Sequence, residues 1–526
     1  MTDFSTTTLG IEFGSTRVKA VLIDRGFSVL AEGVYDWENS FDGGYWTYAH
    51  DEIITALQQS FASLQANVRD RFGAPLTTVG AIGISAMMHG YVALDENDRF
   101  LVPFRTWRNT TTGDAAKALT DRFAFNIPER WSIAHLYQAI LNGEPHVGDI
   151  RALTTLAGYL HYRLTGERIV GVGEAAGMFP IDSAICDYDK TMLASFDALV
   201  ADKGFPWTLR GILPAVKAAG QAAGTLTAAG ALLLDPTGTL QSGIPFCPPE
   251  GDAGTGMVAT NSVRPRTGNV SAGTSVFAMV VLERPLSKVY PEIDMVTTPD
   301  GAPVAMVHCN NCTADIDAWA GLLLDFAKTT GLPLGKDQVF GALYNTALAG
   351  DIDAGGLTAF NYLSGESITS VKNGVPLLLR PRGSKLDFAN FARNLLFSAL
   401  STLRIGMELL WKEQVAIDCL YGHGGFFKSA NAGSRMMAAA TGSPVTVMRT
   451  ADVGGPWGMA ILAMYLLDGK TQSLPDYLAQ RVFAATEKTT VAPQKADTAG
   501  FAQYLERYKA ALPLEKAAET LLYGEE

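Results

Sequence analysis

The sequence predicts an α/β protein built from two similar halves, and three observations support this fold class. Leu9–Gly14 and Val18–Asp24 read as two strands joined by a short polar turn, which is the pattern of a β-hairpin. Residues 268–281 repeat that pattern, and the turn glycines Gly14 and Gly273 lie about half of the 526-residue chain apart. Strand-like and helix-like segments also alternate in both halves, as they do in α/β proteins.

The remaining elements follow from the spacing of apolar residues. We expect helices at 51–68, 390–413 and 430–440, a helical tail at 498–522 that breaks at Pro513, strands at 79–84 and 415–420, and either helix or turn at 220–235. No low-complexity linker separates the halves. We therefore predict two packed domains, 1–260 and 261–526, with the boundary near residues 258–264.

Composition excludes several classes of protein. The chain is 48% hydrophobic and 18% charged, as folded enzymes are, and its net charge of −12 argues against general affinity for nucleic acid. It has no apolar run near the roughly 18 residues that a membrane span needs, and Met1–Thr8 lacks the features of a signal peptide. Five cysteines are few for this length and odd in number, so we expect a protein of the reducing cytoplasm.

The two hairpin turns are candidate phosphate-binding sites. A tight turn of glycine and hydroxyl residues exposes consecutive backbone N–H groups, which bind phosphate oxygens without basic side chains. Ser15, Thr16, Thr274 and Ser275 add hydroxyl donors. Such turns also occur in ordinary hairpins, so the repetition, more than either turn alone, indicates a polyphosphate ligand.

Two acidic residues are candidates for chemistry next to these turns. Glu12 lies on the first strand, where its carboxylate could hold a water molecule of hydrated Mg²⁺. Asp252 stands between Gly251 and Ala253-Gly254, where a carboxylate can accept a proton from a hydroxyl nucleophile. The alternative for Asp252 is an Asx-type backbone bond in a glycine-rich turn.

Two further motifs are less specific. Residues 421–425 (YGHGG) follow a strand and precede a helix, and their glycines would let a nucleotide approach the backbone, although such a turn also serves as a plain connection. His308–Cys312 (HCNNC) holds at most three zinc ligands, and no second cysteine pair lies at the spacing of a zinc ribbon. We expect a buried loop of small polar residues there.

Together these motifs resemble the FGGY carbohydrate kinases, whose two domains have the actin-like, ribonuclease H-like fold of Hsp70 and hexokinase and enclose a cleft. The resemblance extends from Leu9 to about Leu466. It covers, in the family's order, the first hairpin, GISAMMHG (83–90), TWRN (106–109), GDAGTG (251–256), the second hairpin, YLSGE (362–366) and the GHGG turn (422–425).

The resemblance implies ATP and Mg²⁺ as cofactors and assigns roles to particular residues. Asp252 is the expected general base and Glu12 the expected Mg²⁺ contact through water. The expected sugar contacts are Met88, His89, Trp107, Arg108 and Asn109, together with Asp252. The expected ATP contacts are Gly14, Ser15, Thr16, Arg17, Gly273, Thr274, Ser275, Gly424 and Gly425.

The sequence departs from the family pattern at several of these positions. Glu12 stands where Asp is usual, Arg17 where a small residue is usual, Arg108-Asn109 where Asn-Asp is usual, Met87 where Gln is common, and Gly173-Glu174 where Ser-Asp is familiar. The sugar pocket is therefore expected to be altered.

The activity implied is phosphorylation of a ketopentose, with xylulose the first candidate. A ribulokinase, a kinase for a tetrulose or glycerol, and a non-kinase ATPase or sensor of the same fold remain alternatives. The resemblance is also compatible with a homodimer.

Overall fold

The computed structural model describes residues 3–448, 454–469 and 471–524. The chain forms two compact units, and each unit is assembled from three segments. The first unit comprises Met1–Val263, Asp294–Val304 and Val453–Ala485; the second comprises Arg264–Ile293, Ala305–Asp452 and Thr486–Glu526. The first unit first ends at Val263, within the boundary region predicted at 258–264. Two later segments, 294–304 and 453–485, also belong to the first unit, although the predicted second domain, 261–526, included them.

Strands are present in both units. In chain order they are β1 (Thr8–Phe13), β2 (Arg17–Ile23), β3 (Val29–Asp36), β4 (Ser40–Asp42), β5 (Tyr45–Thr47), β6 (Ala81–Ala86), β7 (Val92–Leu94), β8 (Ala152–Thr154), β9 (Ile169–Gly171), β10 (Ile181–Asp182), β11 (Asp187–Tyr188), β12 (Ala215–Lys217), β13 (Glu250–Gly251), β14 (Thr267–Ala272), β15 (Val276–Val281), β16 (Ile293–Thr297), β17 (Pro303–Cys309), β18 (Thr358–Phe360), β19 (Leu377–Leu379), β20 (Cys419–His423), β21 (Val445–Met448) and β22 (Lys488–Val491).

Helices alternate with these strands. In chain order they are α1 (His50–Phe72), α2 (Gly113–Phe123), α3 (Ser132–Leu141), α4 (Leu156–Thr165), α5 (Val172–Ala175), α6 (Lys190–Leu199), α7 (Leu209–Ile212), α8 (Ala228–Leu234), α9 (Asp252–Ala259), α10 (Ala314–Thr330), α11 (Lys336–Ala347), α12 (Phe388–Lys412), α13 (Ala430–Thr441), α14 (Gly455–Asp468), α15 (Leu474–Tyr477) and α16 (Lys495–Tyr523). No helix of the described chain is both long and apolar enough to cross a membrane.

The first unit is organised around a five-stranded sheet of order β13-β6-β1-β2-β3. Two glycines allow helices to pack closely on its two faces. A Cβ on Gly10 would lie 2.1 Å from Pro456 O in α14, and a Cβ on Gly33 would lie 2.1 Å from Ser60 O in α1. Gly10 lies opposite Val21 on β2, and Gly33 lies opposite Ala20 on the same strand. Paired residues share a face of the sheet, whereas adjacent residues of one strand point to opposite faces, so the two helices cover opposite faces. This packing explains why α14 belongs to the first unit.

The second unit contains strands in the order β17-β15-β14-β20-β21-β22. β14 pairs antiparallel with β15 and parallel with β20, so the predicted second hairpin is confirmed. The long amphipathic helix predicted at 390–413 is α12, and the helix predicted at 430–440 is α13.

Residues 220–235, predicted as either helix or turn, contain the seven-residue helix α8. Two other local predictions were wrong. The strand predicted at 415–420 starts at Cys419, because Val415 N donates to Leu410 O and so completes the end of α12. α16 runs through Pro513 without a break, because side chains buried before and after it, including Tyr508 and Glu515, hold both halves in place.

A buried ion cluster attaches α16 to the second unit. Asp497 accepts hydrogen bonds from Arg393 Nη2 on α12 at 2.8 Å and from Arg435 Nε on α13 at 2.5 Å. The side chains of Asp497 and Arg393 are each 2% exposed. The cluster therefore joins three helices through one carboxylate.

We expect Asp497→Ala to lower the free energy of unfolding by about 3–5 kcal/mol, because it leaves the Arg393 cation buried without its partner. Chemical denaturation of both proteins measures this difference. Asp121→Ala is the matched control, since it breaks an exposed pair with Lys117 and should cost less than about 1 kcal/mol. Equal losses in the two variants would contradict the expectation.

Candidate active site

In the first unit, three parallel strands end at one edge of the sheet. β6 pairs with β1 on one side, Phe13 opposite Ala86, and with β13 on the other, Gly251 opposite Ala86. The chain segments that follow these strands are the first hairpin turn, the segment of Met88 and His89, and Asp252. Residues from three distant parts of the sequence are thus brought together at the carboxyl edge, where α/β proteins bind ligands.

Asp252 is the first residue of α9, not part of a glycine-rich loop as the motif suggested. Its Oδ1 accepts hydrogen bonds from Met88 N at 3.1 Å and Ala253 N at 2.9 Å. Within the described chain its Oδ2 accepts none, so this oxygen is available to take a proton. The side chain is solvent-exposed but densely surrounded by protein atoms, and this desolvation raises its pKa above the ordinary value of 3.8.

Glu12 lies at the same edge, on β1. Its Oε2 accepts hydrogen bonds from Thr255 Oγ1 at 3.2 Å and Ser85 Oγ at 3.4 Å. Burial, and after it the nearby charge of Asp252, raises the pKa of Glu12 to about 8. Two carboxylates that repel each other are stabilised by a divalent cation, and Mg²⁺ takes oxygen ligands while keeping most of its waters. The donor set therefore fits the predicted water-mediated Mg²⁺ contact.

The extra methylene of Glu12, relative to the usual Asp, is accommodated by Gly455. A Cβ on Gly455 would lie 1.7 Å from Glu12 Oε2, so any side chain at this position would displace the Glu12 carboxylate. Gly455 is the first residue of α14 and is close to β1 through the same packing that Gly10 permits. A glycine at the start of this helix thus leaves the longer acid in its observed position.

His89 is held in a constrained conformation beside Asp252. Its φ is +74°, in the left-handed region that most residues avoid, and its side chain is buried against the ring of Trp131. Its Nδ1 lies 3.3 Å from Gly177 O. In the neutral tautomer that carries its proton on Nδ1, this nitrogen donates to Gly177 O and Nε2 is an acceptor. A Cβ on Gly177 would lie 2.6 Å from His89 Nδ1 and 2.8 Å from Met88 Cε, so this glycine shapes the position of both predicted sugar contacts.

The TWRN segment lies next to the first hairpin, and its three predicted sugar contacts differ in what they offer. Trp107 is 39% exposed, and its Nε1 donates to Ser15 Oγ at 3.3 Å. Arg108 stacks 4.0 Å above the ring of Trp46 and donates to Asn39 Oδ1. Trp107 therefore connects the predicted sugar segment with the predicted phosphate turn.

The side-chain amide of Asn109 is hydrogen-bonded within the protein. It is 2% exposed; its Oδ1 accepts from Trp46 N at 2.8 Å, and its Nδ2 donates to Trp46 O and Thr106 O, both at 2.9 Å. These bonds use the donors and acceptor of the amide. In this structure Asn109 positions the segment instead of presenting its amide to a sugar.

The first hairpin turn closes through a hydrogen bond from Gly14 N to Arg17 O at 3.0 Å. Ser15 and Thr16 form its tip, and no acceptor within the described residues binds their N–H groups. Arg17, a predicted phosphate contact, is exposed and pairs with Asp36 through Nε at 2.6 Å. The turn thus presents free backbone donors, as phosphate binding requires.

The predicted second phosphate turn and the predicted adenosine turn are neighbours within the second unit. β14 and β20 are parallel and end side by side, with Ser271 opposite His423. Gly424 has a φ of +99°, and a Cβ there would lie 2.5 Å from Ala272 O, directly before Gly273. Gly425 has open space around its Cα. Only glycine at 424 allows this close approach of the two turns.

Two acids near Asp252 were not identified as site residues from the sequence. Glu250 is buried, and its Oε2 accepts from Glu174 N at 2.9 Å. Cβ atoms on Gly171 and Gly173 would lie 2.1 and 2.4 Å from its carboxylate oxygens. Glu174 is also fully buried, and burial raises its pKa well above the ordinary value. The departure Gly173-Glu174 was the available signal, because the glycine leaves room for Glu250.

Two family models match this chain. The N-terminal domain of the FGGY family of carbohydrate kinases matches residues 7–258, and the C-terminal domain matches residues 268–467. The fold and these matches define a carbohydrate kinase with an actin-like, ribonuclease H-like architecture. The chain belongs to the FGGY family.

Relatives and solved structures agree with this assignment. The xylulose kinase of Haemophilus influenzae is 23% identical over 515 residues, covering 95% of this chain and 98% of that protein. The structure of xylulose kinase from Rhodospirillum rubrum matches with a TM-score of 0.78 at 18% identity, covering 98% of this chain and 99% of its own. The ligand-bound xylulose kinase of Lactobacillus acidophilus matches with a TM-score of 0.77 at 17% identity, covering 97% and 99%. At these identities the structures establish the fold.

We expect Gly455→Ala to reduce sugar phosphorylation roughly 100-fold, because the new Cβ must displace the Glu12 carboxylate by more than an ångström. Steady-state kinetics at several Mg²⁺ concentrations measure the loss. Gly341→Ala in α11 is the control, since no atom outside its own helix backbone lies within 4 Å of its Cβ position. Equal activity of both variants would show that Glu12 needs no such space.

We also expect Glu250 to contribute less to stability as pH rises from 5 to 8 without ligands. Burial raises the pKa of Glu250 from 4.5 to about 8, so the folded state binds a proton that the unfolded state has lost. This stabilisation is complete below pH 4.5 and disappears as pH rises through about 8. Thermal unfolding of Glu250→Gln should therefore depend less on pH than the parent, whereas exposed Glu96→Gln should follow the parent. An unchanged slope in Glu250→Gln would refute this.

Proposed function

We propose that this protein is an ATP-dependent kinase that phosphorylates a hydroxyl group of a ketopentose, with xylulose as the first candidate. The observation that carries the proposal is the carboxylate of Asp252: two backbone N–H groups bind its Oδ1, and its Oδ2 accepts no hydrogen bond within the described chain. This carboxylate lies at the edge where His89 and the first hairpin also lie. The name of the Haemophilus influenzae relative, which aligns over nearly its whole length, favours xylulose.

In the proposed reaction, the sugar hydroxyl oxygen attacks the γ-phosphorus of ATP. The bond from that phosphorus to the ADP oxygen breaks as the new P–O bond forms, and Asp252 Oδ2 receives the hydroxyl proton. A raised pKa makes Asp252 a better proton acceptor than an ordinary aspartate, provided that it is ionised before the reaction. The protein otherwise contributes alignment.

Alignment of the sugar falls to residues of the first unit. His89 would accept a sugar hydroxyl at Nε2, because Gly177 O favours the proton on Nδ1. The exposed indole of Trp107 would cover an apolar face of the sugar. Met88 contributes its backbone N–H, which orients Asp252, and its buried side chain, which packs against Gly251.

The phosphates would be bound by backbone groups. The N–H groups of Ser15 and Thr16, and those of Thr274 and Ser275, are the proposed donors to phosphate oxygens, and Gly424-Gly425 would admit the adenosine. Mg²⁺, when bound, neutralises phosphate charge. Glu12 would hold one of its waters, with Ser85 and Thr255 orienting the carboxylate.

The test is ADP release with Mg-ATP across a panel of D- and L-xylulose, D- and L-ribulose, the erythruloses and glycerol. We expect strong stimulation by one ketopentose and a loss of at least about 100-fold in kcat for Asp252→Asn, because the amide cannot accept the proton. Asp121→Asn, which changes an exposed acid on α2, is the control. Hydrolysis that is independent of sugar, or that is unaffected by Asp252→Asn, would favour the ATPase or sensor alternative.

A further inference from the structure

The two hairpin turns share a property that their sequences do not reveal. In each turn the carbonyl groups are bound by other parts of the protein, whereas the N–H groups at the tip are not. Within the described chain, the N–H groups of Ser15, Thr16, Thr274 and Ser275 donate no hydrogen bond, and none of these residues is buried. The orientation of four peptide groups is therefore set from the carbonyl side.

In the first turn, two aromatic residues bind the carbonyls. Trp37 Nε1 donates to Gly14 O at 2.7 Å, and Tyr48 OH donates to Ser15 O at 2.6 Å. Trp37 N also donates to Thr16 O at 3.2 Å. The two rings stack at 4.0 Å and are each 3% exposed, so the donors are fixed.

In the second turn, the carbonyls are bound by a loop that contains Cys312 and Thr313 and has no counterpart in the first turn. Thr313 donates to Gly273 O through both its N–H and its Oγ1, each at 2.9 Å, and Cys312 N donates to Thr274 O at 2.8 Å. The HCNNC motif covers the end of β17 and the start of this loop. It is held in turn by Asn361, whose Nδ2 donates to Cys312 O, and by the buried Glu366, which accepts from Asn310 N.

The geometry of the peptide bond connects these contacts to phosphate binding. A trans peptide is planar, and the C=O of one residue points opposite to the N–H of the next. Tyr48 at Ser15 O therefore directs the Thr16 N–H away from the protein, and Thr313 at Gly273 O directs the Thr274 N–H in the same manner. Each hydrogen bond to a carbonyl therefore sets the direction of the N–H group of the following residue.

We propose that Tyr48 and Thr313 are positioning residues for phosphoryl transfer: by binding the carbonyls of Ser15 and Gly273 they point the hairpin N–H groups at the phosphates of the nucleotide. This inference rests on the proposed ATP-dependent function. It assigns a function to the HCNNC segment, whose loop supports a phosphate turn. Burial raises the pKa of Tyr48, so its hydroxyl remains protonated and able to donate at neutral pH.

Tyr48→Phe tests the first turn, because it removes only the hydroxyl. We expect the Kd for ADP and the KM for ATP to rise roughly 2- to 10-fold, the effect of one hydrogen bond, while the KM for the sugar stays unchanged. Tyr465→Phe is the matched control, since it removes a similar bond, from Tyr465 OH to Gln472 O at 2.7 Å, elsewhere in the first unit. The control should bind ADP as the parent does.

Thr313→Val tests the second turn, and Thr313→Ser should restore the parent values because it keeps the hydroxyl. We expect Thr313→Val to raise the Kd for ADP and the KM for ATP by a factor at the lower end of the same range, because the Thr313 N–H still donates to Gly273 O. Thr441→Val is the control; it removes a buried bond from Thr441 Oγ1 to Met437 O within α13. Melting temperatures of all variants establish that they are folded.

Binding of adenosine separates positioning from general damage. Adenosine has no phosphate, so its Kd should stay unchanged in Tyr48→Phe and Thr313→Val, while the Kd for ADP rises. Equal changes for adenosine and ADP, or no change for ADP, would overturn the inference. Failure of the parent protein to phosphorylate any ketose would instead refute the proposed function. The ADP and adenosine titrations would still test the inference about Tyr48 and Thr313.

Discussion

The pairing of β6 with β1 and β13 is the interaction on which the site of the first unit depends. Because all three strands run parallel, the residues after them meet at one edge, and Met88 N can bind Asp252 Oδ1. A shift of one residue in either pairing would turn these side chains to the other face of the sheet. The register thus fixes both the position of Asp252 and which of its carboxylate oxygens accepts no hydrogen bond within the described chain.

This arrangement concentrates carboxylates in a protein interior, and the fold accommodates them with glycines. Gly455 leaves room for Glu12, while Gly171 and Gly173 leave room for Glu250. Burial disfavours the charged form of an acid and raises its pKa, as it does for Glu12 and Glu250. Each of these acids therefore occupies space that a neighbouring glycine leaves open.

The two hairpins meet a single physical requirement in two different ways. Backbone N–H groups can face a ligand only if the attached carbonyls find donors inside the protein, since a buried carbonyl without a donor is costly. In the first unit Trp37 and Tyr48 supply the donors, and in the second unit the loop of Cys312 and Thr313 does. The duplicated hairpin is therefore supported by elements that are not duplicated.

The sequence by itself determined the fold class, the two hairpins, the long helices α1 and α12, and the order of the family motifs, because these depend on local periodicity and short turns. It did not determine that Asn109 bonds to Trp46, that Gly455 borders Glu12, or that α14 packs on β1. Those facts depend on contacts between residues up to several hundred positions apart. Only the tertiary structure decides them, because close packing of backbones and buried acids leaves no periodic signal in the chain.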